Sequence, residues 1–543
     1  MKRFSYLLII LFIVSCSEKR LEILPTDRLN DLTVWNDPAS VNLFLNDVYN
    51  SVNAGPYPAV SRENPSEISN DPLDDFSDNS TYGPEVGFFL VQLFNNGSYG
   101  FGASIFLNQW KYMYANIRKC NLLIEKVSGS TFDEATKNSL IAQGRFLRAY
   151  FYKQLVDLHG GVPLITKVLN NLGEEDIFFA RNTYEESVAF IQTECTAAAV
   201  DLPLQVTGKD LGRATKGAAL ALKGEEELYA GKWEEAAQTH KDIMELGVYD
   251  LFDNYEGMFY PANENNAEVI FDIQFAPNIR NKNINQYWGV VEVAKGAGWG
   301  SVDPTQNLVD EYEFKDGKTA AEGSEYYDPQ HPYDNREKRF YQSIIYDGSV
   351  WRGKVVYTRL GIANNANEIN LTGKSGNAGR TGYFVRKLQD SSISSTPSTL
   401  DGANVIVWRY AEVLLNYAEA QNEVVGPDQS VYDAMNKIRE RSAQPELPAG
   451  LSKEQMRDRI RHERRIELAF EGKRFYDIMR WKIADELFDA PIYGMKITGD
   501  NETLKYERVE VRKISFDPTK NYLQPLPQYA LDQNPKLVQN PNY

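Results

Sequence analysis

Residues 461–481 read RHERRIELAFEGKRFYDIMRW, and no other stretch constrains the fold as strongly. Upstream, Ser452 with Gln455 three residues later has the form of a capping box, which starts a helix there, and Gly472 suits its left-handed end. Projected at about 100° per residue, Met456, Ile460, Glu463, Glu467 and Phe470 share one stripe. Two carboxylates therefore occupy positions where a core-facing helix should be apolar. Buried carboxylates cost several kcal/mol each unless charges and donors meet them, and seven arginines lie between positions 457 and 480. The expectation is a buried ion network containing Glu463, Arg464, Glu467 and Arg474. Glutamates four residues apart on a helix, about 5–6 Å from one another, could also serve a glycosidase as acid and base. A general acid needs an apolar pocket to raise its pKa, whereas dense arginine holds both groups ionised, so the structural role is favoured.

Taken from its start, the chain has Lys2 and Arg3 before the apolar run 6–14, too short to span a bilayer and suited to a signal-peptide core. Ser15 and Cys16 close it in the manner of a bacterial lipobox. Residues 1–15 are then removed and Cys16 becomes the acylated lipid anchor, the rest of the chain touching the membrane by that anchor only. The formal charge is −17, and losing the two cations of the leader leaves −19. Such an acidic chain repels phosphate backbones, which argues against nucleic acid as a partner.

Helical periodicity resumes after Asp37 and Pro38, an N-cap and first helical residue, and runs to about Ser51. Residues 55–102 lack a period and are rich in Gly, Pro, Asn and Asp, so they read as long loops. Helices are expected over 105–127, from a capping box at Thr131 with Glu134 as far as Gly160, and from Thr183 with Glu186. Residues 214–247 resemble a tetratricopeptide repeat through Leu228, Tyr229, Gly231, Trp233 and Ala236, and 409–442 form a second such pair. Between them, 249–404 is an irregular insertion with short β-branched runs such as 268–275. Prolines 518, 525, 527, 535 and 541 exclude a helix from the tail, which is expected to lie extended across the scaffold. The fold class is mainly α, a tetratricopeptide-like scaffold of helical pairs with long irregular insertions and little β. It divides into an N-terminal helical part (16–248), the insertion (249–404) and a C-terminal helical part (405–543), together one unit after the leader.

Chemistry has few candidates. The four histidines, His159, His240, His331 and His462, show no ligand spacing, and no HExxH, GxSxG or phosphate-loop pattern appears. No catalytic residue, metal or cofactor is expected, although a hydrolase with carboxylates scattered in sequence stays open. Cys120 and Cys195 fall in helical patterns and read as small core residues, with a disulfide left open.

The stretch ERRIELAFEGKRFYDIMRW resembles the signature of the SusD/RagB family of surface glycan-binding lipoproteins. The resemblance continues in RYAEVLLNYAEAQNE (409–423), NREKRF (335–340), TGYFVRK (381–387) and the tail 522–543. It implies capture of an oligosaccharide or polysaccharide at the cell surface and delivery to a TonB-dependent, SusC-like outer-membrane transporter, with no chemistry on the cargo. Family sugar platforms generally come from the two irregular regions. There, aromatic faces that accept sugar C–H groups and polar groups that satisfy hydroxyls make Asp71, Asp74, Tyr82, Asn96, Tyr287, Trp288 and Trp299 the ligand candidates. Trp110, Trp233, Trp408 and Trp481 lie in or beside helical patterns and are assigned to packing. The alternatives are peptide or other non-glycan cargo, or a protein-interaction scaffold.

Overall fold

The computed structural model describes residues 34–52, 73–82, 94–97, 107–169, 176–277, 284–291, 298–371, 379–393, 402–501 and 503–543. The anchor cysteine Cys16, the leader 1–15 and Asp71 lie outside them. Helix α1 (Pro38–Asn50) begins where Asp37 accepts the backbone N–H of Ser40 at 2.9 Å and Pro38 occupies the first turn. Helices α2 (Leu107–Ser128), α3 (Glu134–His159) and α4 (Tyr184–Asp201) follow. The α4 start is a reciprocal capping box: Glu186 N–H donates to Thr183 Oγ1 at 3.1 Å, and Thr183 N–H to the Glu186 carboxylate at 2.9 Å. The α3 start differs from expectation. Its N-cap is Asp133, not Thr131, because the Asp133 carboxylate reaches both the N–H and the hydroxyl of Thr136.

The repeat-like segment forms α5 (Lys216–Tyr229) and α6 (Trp233–Glu245), and the second pair forms α7 (Tyr410–Val425) and α8 (Gln429–Arg441). Each helix from α2 to α8 packs on its predecessor, and α6 packs on α7 although the whole insertion separates them in sequence. The stack is therefore continuous across the insertion. Small residues permit the approach at that joint: Ala236 and Ala237 of α6 meet Leu228 and Ala420, with Tyr229 and Trp233 against them. A buried polar bond fixes its register, since Asn416 Nδ2 donates to His240 Nε2 at 3.0 Å while His240 Nδ1 donates to Ala236 O at 2.8 Å. That pair of bonds requires the neutral imidazole. One large hydrophobic core runs through the stack, including Leu45, Phe146, Leu222, Leu414 and Ile460.

The insertion leaves and rejoins the stack through one antiparallel ladder. Strand β2 (Val269–Ile273) pairs with β4 (Val405–Arg409), so the ends of the long excursion are tied together. Strand β1 (Ser80–Tyr82), from the first loop region, pairs with β3 (Val302–Pro304) of the insertion, Tyr82 opposite Val302. Trp110 and Trp408 are buried, and Trp408 Nε1 donates to Glu225 at 2.9 Å.

Helix α9 (Lys453–Glu467) opens with the expected Ser452–Gln455 capping box but ends five residues before Gly472. The chain there turns through Phe470 and Gly472, both left-handed at φ 64° and 77°, before α10 (Arg474–Arg480). Two more departures lie further on. Strands β5 (Ile492–Thr498) and β6 (Lys505–Arg512) form a hairpin in the part expected to be helical and extended. The tail also holds a short helix, Gln528–Gln533, because Pro527 serves as its N-cap and Pro535 lies beyond its end, leaving the donors between them intact. The remainder of the tail lies against α3: Gln524 N–H donates to Leu158 O at 2.7 Å and Asn540 Nδ2 to His159 O at 3.1 Å.

Candidate functional site

The signature helix carries its two core-facing glutamates into a dense, dry set of charges. Glu463, 1% exposed, accepts from Arg339 at 2.5 Å and Arg439 at 2.9 Å. Glu467, fully buried, accepts from Arg409 at 2.6 Å, from Arg339 at 2.9 Å and from Arg441. Arg409 also meets Glu268 at 2.6 Å and Glu471 at 2.7 Å, and Lys387 meets Glu471 at 2.7 Å. Burial works against ionisation of Glu467, but Arg441, Arg409 and Arg339 outweigh it and hold the carboxyl well below its ordinary range. For Glu463, burial is again opposed and overcome, here by Arg339 and Arg439. Neither glutamate is a protonated acid poised for glycoside cleavage.

The partners are not the neighbouring arginines that sequence reasoning enlisted. None of the seven between 457 and 480 is seen to pair with Glu463 or Glu467; the partners are Arg339 of 335–340 and Arg409 of 409–423, two segments that carry the resemblance, with Arg439 and Arg441 from α8. Arg464 faces elsewhere, donating to Asp477 at 2.7 Å and Asn416 at 2.5 Å, with Glu412 at 3.4 Å. Arg474 reaches Asp78 at 2.8 Å, and Arg465 reaches the same carboxylate at 2.9 Å. The signal that could have found the partners was already visible. Segments 335–340, 381–387 and 409–423 each contribute a buried Arg, Lys or Glu, and buried charges must find one another.

The ligand candidates separate by burial. Asp74 is fully buried and closes the turn after α9, accepting from Phe470 N–H and Gly472 N–H at 3.1 Å each and from Asn79 Nδ2 at 3.0 Å. It presents nothing to a ligand. Trp288 is likewise 0% exposed and part of the main core, so it offers no stacking face. Tyr82, 8% exposed, packs in a second core with Leu73, Phe76 and Phe94. Asn96 is exposed on the 94–97 turn, and Tyr287 and Trp299 are half-buried.

Tyr287 and Trp299 are brought together by backbone bonds between their turns: Trp299 N–H donates to Gln286 O at 2.9 Å, and Ser301 N–H to Tyr287 O at 2.8 Å. Their ring centroids lie 4.7 Å apart at 90°. Such an edge-to-face pair keeps one face of each ring free of the other. Tyr82 lies opposite Val302, so the β1–β3 ladder holds residues 80–82 next to the strand that follows Trp299.

Among the described residues, no group of three or more His, Cys, Asp or Glu could hold a metal ion. His159 and His240 are buried, and burial depresses both to about 4. Cys120 and Cys195 are buried free thiols. No helix among the described residues is long and apolar enough to cross a membrane.

Two family models cover the chain. The model of the SusD family matches residues 267–543, and one described as starch-binding associating with outer membrane matches residues 21–224. A SusD-like protein of Bacteroides fragilis NCTC 9343 superposes with a TM-score of 0.81 at 30% identity, covering 95% of this chain and 99% of the other. A second protein of that strain, a SusD-like carbohydrate binding protein, does so at 0.79 and 30%, covering 93% and 100%. The SusD-like protein P2 of Formosa agariphila is 26% identical across 100% of this chain and 99% of its own length. These matches, and the charge cluster in which the signature segments converge, place the chain in the SusD family.

Proposed function

We propose that this protein captures glycans at the bacterial cell surface, held on the outer membrane by lipid on Cys16, and passes them without chemical change to a SusC-like, TonB-dependent transporter. The observation that carries the glycan reading is the Tyr287–Trp299 pair, two half-buried rings at right angles in an irregular region of a SusD-family chain. Rings of this kind accept the C–H faces of pyranoses while neighbouring amides and carboxylates take the hydroxyls. A structural neighbour at 30% identity described as carbohydrate binding, and a family model described as associating with the outer membrane, support the same reading. The reading that the cargo leaves unchanged is supported by the Glu463–Glu467 pair, whose carboxylates are ionised and bound by arginines.

The test is affinity electrophoresis and calorimetry of the chain lacking residues 1–16 against a panel of soluble polysaccharides, with chromatography of the same mixtures for released sugars. Retardation by at least one polysaccharide, clearly weakened in Tyr287→Ala/Trp299→Ala, is expected, with no product. Binding undiminished by the double substitution rejects the platform, and released sugar rejects the non-catalytic reading.

A further inference from the structure

Two adjoining cavities of about 220 and 230 Å³ open where α1, the 204–213 connection between α4 and α5, and strand β2 meet. They share no lining residue with the Tyr287–Trp299 pair. The first is lined by Asn46, Tyr49, Asn50 and Lys209, the second by Gln205, Thr207, Tyr249 and Asn265, and both share Leu211, Gly212, Arg213, Phe271 and Asp272. Gly212 is the divider. It sits at φ 81°, and a Cβ there would lie 2.3 Å from Gln274 Cγ, so the connection is pressed onto the end of β2 between the two openings.

The lining is rich in hydrogen-bonding groups, and its charges are Arg213 and Asp272 at the centre and the exposed Lys209 in the first cavity. Arg213 is answered by Asp210 at 3.3 Å and by Asn46 Oδ1 at 2.7 Å, and its guanidinium lies 5.6 Å from the Tyr49 ring centre. The Asp272 carboxylate accepts from Asn404 at 2.8 Å and Gln274 at 2.6 Å. The central charges are thus already met, which disfavours a phosphate or a cation as occupant. Amides, hydroxyls and the half-buried Tyr49 and Tyr249 rings remain, the set that satisfies sugar hydroxyls and C–H faces. Each cavity is smaller than the roughly 300–1,000 Å³ of drug-sized pockets, a scale suited to a single ring. An extended peptide adding to β2 would need an unbroken edge, and the Gly212 crossing interrupts it.

We propose that these cavities form a second carbohydrate site, taking one neutral sugar ring on either side of the Gly212 crossing. The proposal rests on the reading of the chain as a glycan-capturing protein. Two sites on one rigid stack let a long polysaccharide attach twice, raising its apparent affinity without new contacts at either site.

The test begins with the Tyr287→Ala/Trp299→Ala chain, in which only the second site should remain, and uses native mass spectrometry and calorimetry with maltotriose, cellotriose and mannotriose. Asn50→Trp and Gln205→Trp, both at exposed positions, are then added to fill the cavities. Saturable binding of at least one trisaccharide, weakened tenfold or more by the tryptophans while circular dichroism and melting stay unchanged, is the expected result. Leu211→Trp repeats the test if either substitution lowers the melting temperature. Absence of saturable binding in the starting chain, or binding that the tryptophans leave intact, overturns the proposal. Capture of peptides from a casein digest in place of the sugars, abolished by the same tryptophans, overturns it in favour of strand addition at β2. Polysaccharide binding by a chain that carries the two tryptophans but keeps Tyr287 and Trp299 reports on the loop pair alone, so the two readings fail independently.

Discussion

Replacing Glu467 with Gln keeps the shape of the side chain and removes its charge from the centre of the buried cluster. The carboxylate now accepts from Arg339 at 2.9 Å, Arg409 at 2.6 Å and Arg441, and all four groups are buried or nearly so. The amide would turn two donors toward those guanidiniums and leave positive charge unanswered in a dry site. Breaking a buried pair in this way costs about 3–5 kcal/mol, whereas an exposed pair is worth at most about 1 kcal/mol. Lys496–Glu507, spaced 2.6 Å apart on the exposed hairpin, supplies the control. Guanidinium denaturation at pH 7 should show Glu467→Gln losing about 3–5 kcal/mol and Glu507→Gln less than about 1, with unchanged slopes. The sign with pH follows from the depressed carboxyl of Glu467: its contribution is present above the unfolded value near 4.5 and is lost as pH falls toward the folded one. The gap between wild type and Glu467→Gln should therefore narrow below about pH 4.5. A loss no larger than that of Glu507→Gln, or a gap that does not change with pH, would refute the claim that these charges hold the fold.

Three further outcomes follow from other buried groups. His240, depressed to about 4 by burial against the opposing bond to Ala236 O, should show no titration above pH 5 by histidine NMR, and the stability tied to it is present above 6.5 and lost as pH falls toward 4. Over that span its protonation costs about 3 kcal/mol, at roughly 1.36 kcal/mol per unit. Glu226 is fully buried with neither carboxylate oxygen accepting a hydrogen bond, and burial, followed by Asp157, raises its carboxyl well above the ordinary range. Because stability tied to a raised carboxyl is present at low pH and lost as pH rises, Glu226→Gln should raise the melting temperature at pH 8 and leave it unchanged at pH 4. Gly161→Ala would place a Cβ 2.1 Å from Asn182 O, a backbone atom that cannot yield cheaply, and should destabilise by about 1–3 kcal/mol in denaturant melts.

The parts legible in the sequence are those set by neighbours in the chain. The capping boxes at Thr183 and Ser452 fall where their spacing puts them, and the helical pairs follow from periodicity because each buries one face against the next. Asp133 was overlooked beside Thr131 because both types cap well and the choice depends on where the helix can begin. The hairpin 492–512 escaped because its strands earn burial from distant residues, Gly494 lying against Thr381. The ion network was legible in kind but not in partners: Glu463 and Glu467 announced themselves, while Arg339, Arg409, Arg439 and Arg441 arrive through the tertiary fold. Trp288 and Trp299 read alike as loop aromatics. A single turn of helix at Ile284–Tyr287 sends Trp288 inward and leaves Tyr287 at the half-buried boundary, a distinction no composition carries.

The central claim is that the signature segments hold the scaffold while cargo is taken by the loops beside Tyr287 and Trp299. Hydrogen–deuterium exchange of the chain lacking residues 1–16, with and without a polysaccharide that retards it, measures this directly. Slowed exchange at residues 284–291 and 298–301, with 453–480 unchanged, is the predicted result. Protection centred on 453–480, with the loops unaffected, would contradict it.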